Sequence, residues 1–206
     1  MVYKLTYFGG VRGYGEPARL MFKHAGVAFE DNLIDMNGWP SIKPTTPFGQ
    51  VPVLEVDGTP IAQSFAIYRF LAKKLNLAPG SDVDQALADS IAEYVKEFDG
   101  KAHDYFVILL GFMQGDKDAE WKNKVLPAVD TYFPVITNWL KNAGNGYLTK
   151  AGLSWVDFFA AEKLGNVVNY CNKVAEKYPE IKSYVDRVYS LPAIKDHVAS
   201  RAKYAY

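Results

Sequence analysis

Residues 47–58 read Pro-Phe-Gly-Gln-Val-Pro-Val-Leu-Glu-Val-Asp-Gly. The second half is rich in valine and typical of a strand, and Asp57-Gly58 is a strong signal for a hairpin turn. A second short strand over Thr59–Ala62 completes a predicted β-hairpin. Pro52 opens the first strand after a long loop, a position where a cis peptide bond can occur. A cis bond would turn the backbone N–H and C=O of Val51 outward, toward an extended peptide.

The chain before this hairpin alternates between strand and helix patterns. Tyr3 to Phe8 alternates in polarity and predicts a strand. A glycine-rich turn leads to a helix that begins around Glu16-Pro17 and ends near Gly26. Phe29 to Ile34 predicts a second strand, and a polar loop follows. The order is therefore β-α-β, loop, β-hairpin.

The chain after the hairpin is helical in pattern. Ser64 is expected to cap a helix, and residues 76–82 form a linker. Apolar residues then keep helical spacing up to Leu109, and a further helix covers roughly Lys117 to Asn142, with Pro127 and Pro134 as expected kinks. Ser154-Trp155-Val156-Asp157 is a capping box at another helix start. The pattern predicts an α/β unit over residues 1–78 and an all-α unit over residues 79–206.

The composition describes a chain that can form a large core and has no net charge. Of its 206 residues 49% are hydrophobic, and 23 basic side chains balance 23 acidic ones. The high hydrophobic content disfavours intrinsic disorder. The zero net charge means that the chain lacks the excess positive charge that drives non-specific binding to nucleic acid or anionic membranes. No uncharged apolar run is long enough to span a membrane. With one cysteine, Cys171, and no signal-peptide pattern, we expect a cytoplasmic protein.

Two patterns suggest other chemistry. Residues 13–18 read Gly-Tyr-Gly-Glu-Pro-Ala, which matches a dinucleotide-binding pattern, and Asp35 lies where a ribose-binding acid would. The hairpin that follows, in place of further β-α-β units, favours a plain turn into a helix. Glu93, Glu97 and Asp99 on one predicted helix suggest a cation site, but Lys96 among them favours a solvated or interface face. The histidines lack the spacing of paired metal ligands, so we expect no metal.

The helix start at Ser64 suggests a site for a small acidic peptide. Backbone N–H groups and the helix dipole favour a carboxylate at such a position. Gln63 is adjacent, and Trp39 and Lys43 lie on the preceding loop. Plain structural roles remain the alternative for these residues.

Several of these segments form one specific series. It comprises residues 4–8, Trp39-Pro40 with Lys43, residues 47–58, and Gln63-Ser64-x-Ala66-Ile67-x-Arg69-x-Leu71. The series resembles the cytosolic glutathione transferases, most closely the sigma-like class of nematode enzymes and glutathione-dependent prostaglandin D synthase. The resemblance runs the whole length of the chain. It implies a thioredoxin-like N-terminal domain followed by an all-helical domain, in agreement with the pattern above.

The resemblance also implies a glutathione site. Tyr7 would be the catalytic residue, and its hydroxyl would donate a hydrogen bond that stabilises the glutathione thiolate. The other implied glutathione contacts are Trp39, Lys43, Gln50, Val51, Pro52, Gln63 and Ser64. Glu97 occupies the place of an acid that reaches the γ-glutamyl amine of the partner subunit's ligand, which implies a homodimer with composite sites.

Three departures from the family pattern affect this interpretation. One extra residue lies between Tyr7 and Glu16, so the intervening loop is altered. Tyr14 stands where some members have an arginine near the sulfur. Glu93, Lys96 and Glu97 replace an aspartate cluster that binds a divalent cation in the prostaglandin synthase, so no metal effect is expected.

The second substrate is not readable, because the implied electrophile pocket is variable in the family. The residues expected to line it are Phe8, Gly13, Tyr14, Tyr105 and Tyr206. Their aromatic character suggests hydrophobic electrophiles. The expected activity is conjugation of glutathione to such electrophiles in detoxification. The alternatives are a non-catalytic or weakly catalytic binding protein for haem or lipophiles, and a glutathione-dependent prostaglandin isomerase or peroxidase.

Overall fold

A computed structural model describes residues 1–201 of the chain. Backbone contacts divide them into two compact units. The first contains Met1–Ala78 together with residues 191–201, and the second contains Pro79–Ser190. The sequence-based division placed everything after residue 78 in the helical unit. The return of residues 191–201 to the first unit differs from it; this segment buries Ile194 completely and contributes to a buried charge cluster described below.

A mixed sheet forms the centre of the first unit. Its strands are β1 (Tyr3–Phe8), β2 (Glu30–Ile34), β3 (Val53–Val56) and β4 (Thr59–Ala62), in the order β2-β1-β3-β4. β1 and β2 are parallel, whereas β3 is antiparallel to both β1 and β4. Leu5 of β1 pairs with Leu54 of β3, and both are fully buried. This pair anchors the core on which the end of β1, including Tyr7, is built.

The helices of the Met1–Ala78 segment are α1 (Glu16–Ala25), α2 (Trp39–Ile42) and α3 (Ser64–Lys74). α1 and α3 pack against each other, and α3 contacts β3 and β4. The loop expected around Trp39 is in fact α2, followed by a 3-10 turn over Lys43–Thr45. Prolines near the start of both elements suit helical first turns, a signal that we interpreted as loop composition.

The start of α3 also differs from expectation. The helix begins at Ser64 itself, and the capping position belongs to Gln63. The expectation that Ser64 caps this helix is therefore wrong by one residue. The side chain of Gln63 makes no capping hydrogen bond, so the first backbone N–H groups of α3 have no partner from the capping residue.

The second unit is helical throughout its regular structure. It contains α4 (Asp82–Leu109), α5 (Lys117–Glu120), a π-helical turn (Trp121–Val125), α6 (Leu126–Ala143), α7 (Trp155–Val168), α8 (Asn172–Lys177) and α9 (Pro179–Tyr189). Pro127 lies in the first turn of α6, directly after the π-helical turn, where an interruption was expected. Pro134 lies inside α6 without ending the helix.

The capping box before α7 is present. The carboxylate of Asp157 accepts hydrogen bonds from the backbone N–H of Ser154 at 2.8 Å and of Leu148 at 3.0 Å. Almost every residue of α7 is buried, so this helix is the centre of the second unit. The box therefore fixes the start of the most buried helix.

The final described element, α10 (Lys195–Ser200), belongs to the first unit. Over residues 1–201, none of the helices combines the length and apolarity needed to cross a bilayer.

Candidate functional site

Tyr7 is the second-last residue of β1, and it is 7% exposed. Its hydroxyl oxygen accepts a hydrogen bond from the backbone N–H of Tyr14 at 3.0 Å. This bond engages an oxygen lone pair, so the O–H group remains a donor. A bond accepted by the oxygen also polarises the O–H group, because linked hydrogen bonds strengthen one another. The geometry therefore suits donation to a negatively charged atom.

Two glycines of the turn before α1 make room for the Tyr7 side chain. A Cβ atom on Gly15 would lie 2.6 Å from Cγ of the Tyr7 ring, and one on Gly13 would overlap the hydroxyl. Gly13 also has a positive φ of 40°. The sequence predicted these glycines as a turn, and the structure adds that the turn carries no side chain where it contacts Tyr7.

The backbone of this turn is held from α3. The hydroxyl of Tyr68 donates a hydrogen bond to the backbone oxygen of Tyr14 at 2.6 Å, and Tyr68 is fully buried. Because the N–H of Tyr14 binds Tyr7, the two bonds connect α3 to the hydroxyl of Tyr7. Tyr68 was not identified from the sequence, since a tyrosine at helical spacing is indistinguishable there from an ordinary core residue.

Residues around the loop–α3 junction form a second group. Gln63 adopts φ +72° and ψ 117°, a conformation that residues other than glycine rarely adopt. Its Nε2 donates to Oε1 of Gln50 at 3.2 Å, which brings together two predicted glutathione contacts. The Val51–Pro52 bond between these residues is cis. A strained φ next to a helix start is characteristic of binding and catalytic sites.

Trp39 and Lys43 lie on the chain between β2 and β3. The ring of Trp39 meets that of Phe8 edge to face, with ring centroids 5.3 Å apart. The side chain of Lys43 runs along Gly49, where a Cβ atom would lie 3.4 Å from the lysine Cε. Phe8 and Trp39 are thus in contact, and the lysine stem lies beside the loop that leads to Gln50.

The remaining predicted residues belong to the second unit or lie beyond residue 201. Glu97 is exposed on α4, and its carboxylate accepts a hydrogen bond from the hydroxyl of Tyr132 at 3.4 Å. Burial, together with the nearby charge of Glu97, raises the pKa of Tyr132. Tyr206 lies outside the described residues.

Tyr105 is only 2% exposed. Its ring lies 4.9 Å from that of Trp121 and 5.6 Å from that of Tyr170. Burial, followed by the contact with Tyr170, raises the pKa of Tyr105. Within the second unit Tyr105 therefore presents little surface of its own, and the more exposed members of this cluster are Trp121 and Tyr170.

Residues 1–201 contain no cluster of three or more histidine, cysteine, aspartate or glutamate side chains suited to a metal ion.

Comparison with known protein families identifies the family to which this chain belongs. Residues 3–73 match the glutathione S-transferase N-terminal domain, and residues 102–201 match the C-terminal domain of the same family. The chain belongs to the glutathione S-transferase family. The predicted resemblance is confirmed, and so is the fold: a thioredoxin-like domain with a mixed sheet, followed by a mostly helical domain.

Individual members of the family are similar over the whole transferase chain. Glutathione S-transferase 1 of Ascaris suum is 40% identical over 99% of this chain and 98% of its own. A structure described as monomeric Na-GST-3, a glutathione S-transferase from Necator americanus, has a TM-score of 0.92 at 39% identity and covers 98% of both chains. The prostaglandin synthase D of Nilaparvata lugens has a TM-score of 0.84 at 37% identity, covering 98% of this chain and 99% of its own.

Membership of the family also settles the co-substrate. Glutathione transferases use glutathione, so the prediction of glutathione as the co-substrate is confirmed. The role of each predicted contact is a separate matter, which we take up as a proposal.

Proposed function

We propose that the protein conjugates the glutathione thiolate to hydrophobic electrophiles, and that the Tyr7 hydroxyl stabilises the thiolate. The observation that carries this proposal is the buried Tyr7 hydroxyl, whose oxygen is held by the Tyr14 N–H at 3.0 Å. A hydroxyl fixed in this way donates along a defined direction, as stabilisation of a developing charge requires.

The size of the effect can be judged from general values. A free thiol has a pKa near 8.5 and is mostly protonated at neutral pH. A hydrogen bond to a charged group contributes about 1.5–3 kcal/mol, which lowers the thiol pKa by roughly one to two units. Such a shift makes much of the bound thiol ionised at pH 7. The thiolate then forms a carbon–sulfur bond to the electrophile, and the leaving group departs with its electron pair.

Glutathione would bind along the loop–α3 junction. Ser64 and Gln63 would hold the γ-glutamyl carboxylate, because the uncapped start of α3 offers backbone N–H groups and a positive helix end. The backbone of Val51, beside Pro52, would pair with the cysteinyl residue as an added strand does. The glycyl end would contact Trp39, Lys43 and Gln50. The Gln50–Gln63 hydrogen bond and the Phe8–Trp39 contact support one continuous surface.

The remaining parts of the proposal concern assembly and setting. Glu97 of one subunit would reach the γ-glutamyl amine bound by the other, which requires a homodimer. The exposure of Glu97 on α4 is compatible with this role. The electrophile would contact Phe8, Gly13, Tyr14, Tyr105 and Tyr206. We assign the protein to the sigma-like class, in the cytoplasm, with detoxification as its role.

The first test is the rate of glutathione conjugation to an aryl halide, measured for wild type and Tyr7→Phe. We expect turnover in wild type and a large drop in kcat for the variant, with glutathione affinity nearly unchanged. Equal turnover in the two proteins would remove Tyr7 from the catalytic role. Absence of turnover in wild type, with glutathione still bound, would favour a carrier of haem or other lipophiles.

A second candidate activity is glutathione-dependent isomerisation of a prostaglandin endoperoxide or reduction of a peroxide. It is favoured by the similarity to the prostaglandin synthase D of Nilaparvata lugens over nearly the whole chain. Prostaglandin H₂ and a hydroperoxide, assayed beside the aryl halide, separate the two activities. Higher kcat/KM for either lipid substrate would make conjugation the secondary reaction.

A further inference from the structure

A cluster of buried charges lies at the start of α1. The carboxylate of Glu16 is 2% exposed. Its Oε1 lies 2.7 Å from Nε2 of His197 and accepts a hydrogen bond from Nη1 of Arg201 at 2.9 Å. Its other oxygen, Oε2, accepts from Nη1 of Arg19 at 3.3 Å. Two of these partners come from the returning segment 191–201, so Glu16 links that segment to α1.

The partners keep Glu16 ionised. Burial alone raises the pKa of a carboxyl group, but here the hydrogen bond from His197 and the charges of Arg201 and Arg19 outweigh it. The net result is a pKa of about 2 for Glu16. At neutral pH a fixed negative charge therefore faces Arg19 within the core of the first unit.

Arg19 connects this cluster to Tyr7. Its Nε donates to both carboxylate oxygens of Asp31, at 2.9 and 3.1 Å, and its Nη1 is shared between Glu16 and the backbone oxygen of Val11. The guanidinium carbon lies 5.8 Å from the centroid of the Tyr7 ring, within the range of a cation–π contact.

The remaining nitrogen, Nη2 of Arg19, is buried and has no hydrogen-bond acceptor among residues 1–201. A buried donor without an acceptor is costly. The electron-rich face of the Tyr7 ring offsets part of this cost, because it attracts the guanidinium. Glu16 and Asp31 thus hold the guanidinium of Arg19 by hydrogen bonds in a position where it also contacts the ring of Tyr7.

We propose that Arg19 is a positioning residue for thiolate stabilisation, that it acts through the Tyr7 ring, and that Glu16 and Asp31 fix its orientation. A positive charge over the phenol ring stabilises the partial negative charge that builds up on the Tyr7 oxygen as its hydrogen is donated to the thiolate. The hydroxyl is therefore a stronger hydrogen-bond donor. It also confines the ring to one place beside Gly13 and Gly15. Neither effect requires Arg19 to touch glutathione. The inference rests on the proposed role of Tyr7 in thiolate stabilisation.

The test follows the ultraviolet absorbance of the thiolate of enzyme-bound glutathione as a function of pH. We expect Arg19→Gln to raise the midpoint, the pH at which half of the bound glutathione is thiolate, by about one pH unit. This is equivalent to about tenfold less thiolate at a pH below the midpoint. Lys74→Gln is the matched control, since Lys74 lies over the ring of Phe70, another aromatic residue of the same unit, at the same 5.8 Å. The control midpoint should equal that of wild type.

The decisive measurement is a double-mutant cycle. If Arg19 acts through Tyr7, adding Arg19→Gln to Tyr7→Phe produces less additional shift than it does in wild type. An equal shift in both backgrounds overturns the proposal, as does an unchanged midpoint in Arg19→Gln. If Arg19→Gln does not fold, Arg19→Lys replaces it, since this variant keeps the charge but loses the planar fork. We then expect a smaller shift in the same direction, again dependent on Tyr7.

The same data separate this inference from the proposed function. If Tyr7→Phe alone leaves the midpoint unchanged, then the proposed role of Tyr7 is wrong, and the role of Arg19 falls with it. If Tyr7→Phe raises the midpoint and Arg19→Gln does not, only the inference on Arg19 is overturned.

Discussion

Gly15 lies against the ring of Tyr7 so closely that a Cβ atom would be 2.6 Å from the ring Cγ. The backbone of Gly15 is in the ordinary right-handed helical region, with φ −83°. An alanine could therefore adopt this backbone conformation, and the three atoms nearest to its Cβ would all belong to Tyr7. The contact makes Gly15 a sensitive probe of the position of Tyr7.

Gly15→Ala should lower kcat more than it lowers the affinity for glutathione. The added methyl group displaces the ring, and a displacement of about 1 Å at a reacting group can cost on the order of a hundredfold in rate. We expect at least a tenfold loss of kcat in the aryl-halide assay. Gly80→Ala serves as the control, because a Cβ atom there would meet nothing within 4 Å. Equal rates for the two variants would contradict the packing argument.

Ser64→Ala should weaken glutathione binding. The hydroxyl at the first residue of α3 is proposed to bond a carboxylate, and a hydrogen bond to a charged group contributes about 1.5–3 kcal/mol. The dissociation constant, measured by calorimetry, should rise roughly tenfold or more. Ser190→Ala is a suitable comparison, since the Ser190 hydroxyl donates a hydrogen bond to the backbone oxygen of Arg187 within its own helical turn. An unchanged affinity in Ser64→Ala would place the carboxylate elsewhere.

Glu97→Gln tests the composite site. If the carboxylate reaches a γ-glutamyl amine bound by a second subunit, the variant should bind glutathione more weakly without any loss of dimer. Glu93→Gln, one helical turn earlier on the same exposed face, should not change the affinity. Light scattering on wild type is the necessary companion measurement. A monomer that binds glutathione normally would reject the shared-site proposal, and the Necator americanus relative described as monomeric makes this measurement informative.

Glu16→Gln should destabilise the protein strongly. Removal of one partner from a buried ionic cluster costs about 3–5 kcal/mol, because the remaining charges stay buried without compensation. Since the folded pKa of Glu16 is about 2, below its ordinary value of 4.5, its contribution is present above pH 4.5 and is lost as the pH falls through 2. Denaturant unfolding at pH 7 should show a lower free energy of unfolding for Glu16→Gln than for wild type. Glu180→Gln, which breaks the surface contact with Lys141, should change the unfolding midpoint little.

The contribution of Asp157 to the free energy of unfolding should depend on pH in the opposite direction to that of Glu16. Burial raises its pKa to about 6, despite hydrogen bonds from Leu148, Ser154 and Tyr184 that lower it. The folded protein then holds this proton more tightly than the unfolded chain, whose pKa is near 3.8. The contribution of Asp157 is therefore full below pH 3.8 and declines as the pH rises through 6. In Asp157→Asn this component of the stability curve should be missing, although the variant is less stable overall because one capping acceptor is lost.

Chemical denaturation of both proteins from pH 4 to pH 7 measures this difference. The stability gap between wild type and Asp157→Asn should narrow as the pH rises across this interval. A gap that widens instead would show that the folded pKa of Asp157 lies below its unfolded value.

The sequence predicted most of the first unit because its signals are local. Alternation from Tyr3 to Phe8 and the Asp57-Gly58 turn each depend on a few neighbouring residues, and the strands β1, β3 and β4 appear where expected. Glutathione as co-substrate followed from the motif series. By contrast, α2 was missed because its prolines were interpreted as loop residues rather than as first-turn residues.

What the sequence did not predict depends on contacts between distant residues. Nothing near Glu16 in the chain indicates His197 and Arg201, which lie more than 180 residues away. The only local sign was the i, i+3 spacing of Glu16 and Arg19, which occurs on many exposed helices. Similarly, the glycines at 13 and 15 indicate a turn, but no pattern reveals which side chain fills the space that they leave.

The packing of residues 191–201 onto the first unit has a consequence for biosynthesis. Residues 1–78 are synthesised well before His197 and Arg201, the partners that follow Glu16 in the chain by more than 180 residues. Until they are synthesised, the Glu16 carboxylate has Arg19 in the same helix but lacks His197 and Arg201. The first unit is therefore completed only after residues 79–190 of the second unit have been synthesised, and a translation product that stops before residue 191 would lack both partners of Glu16.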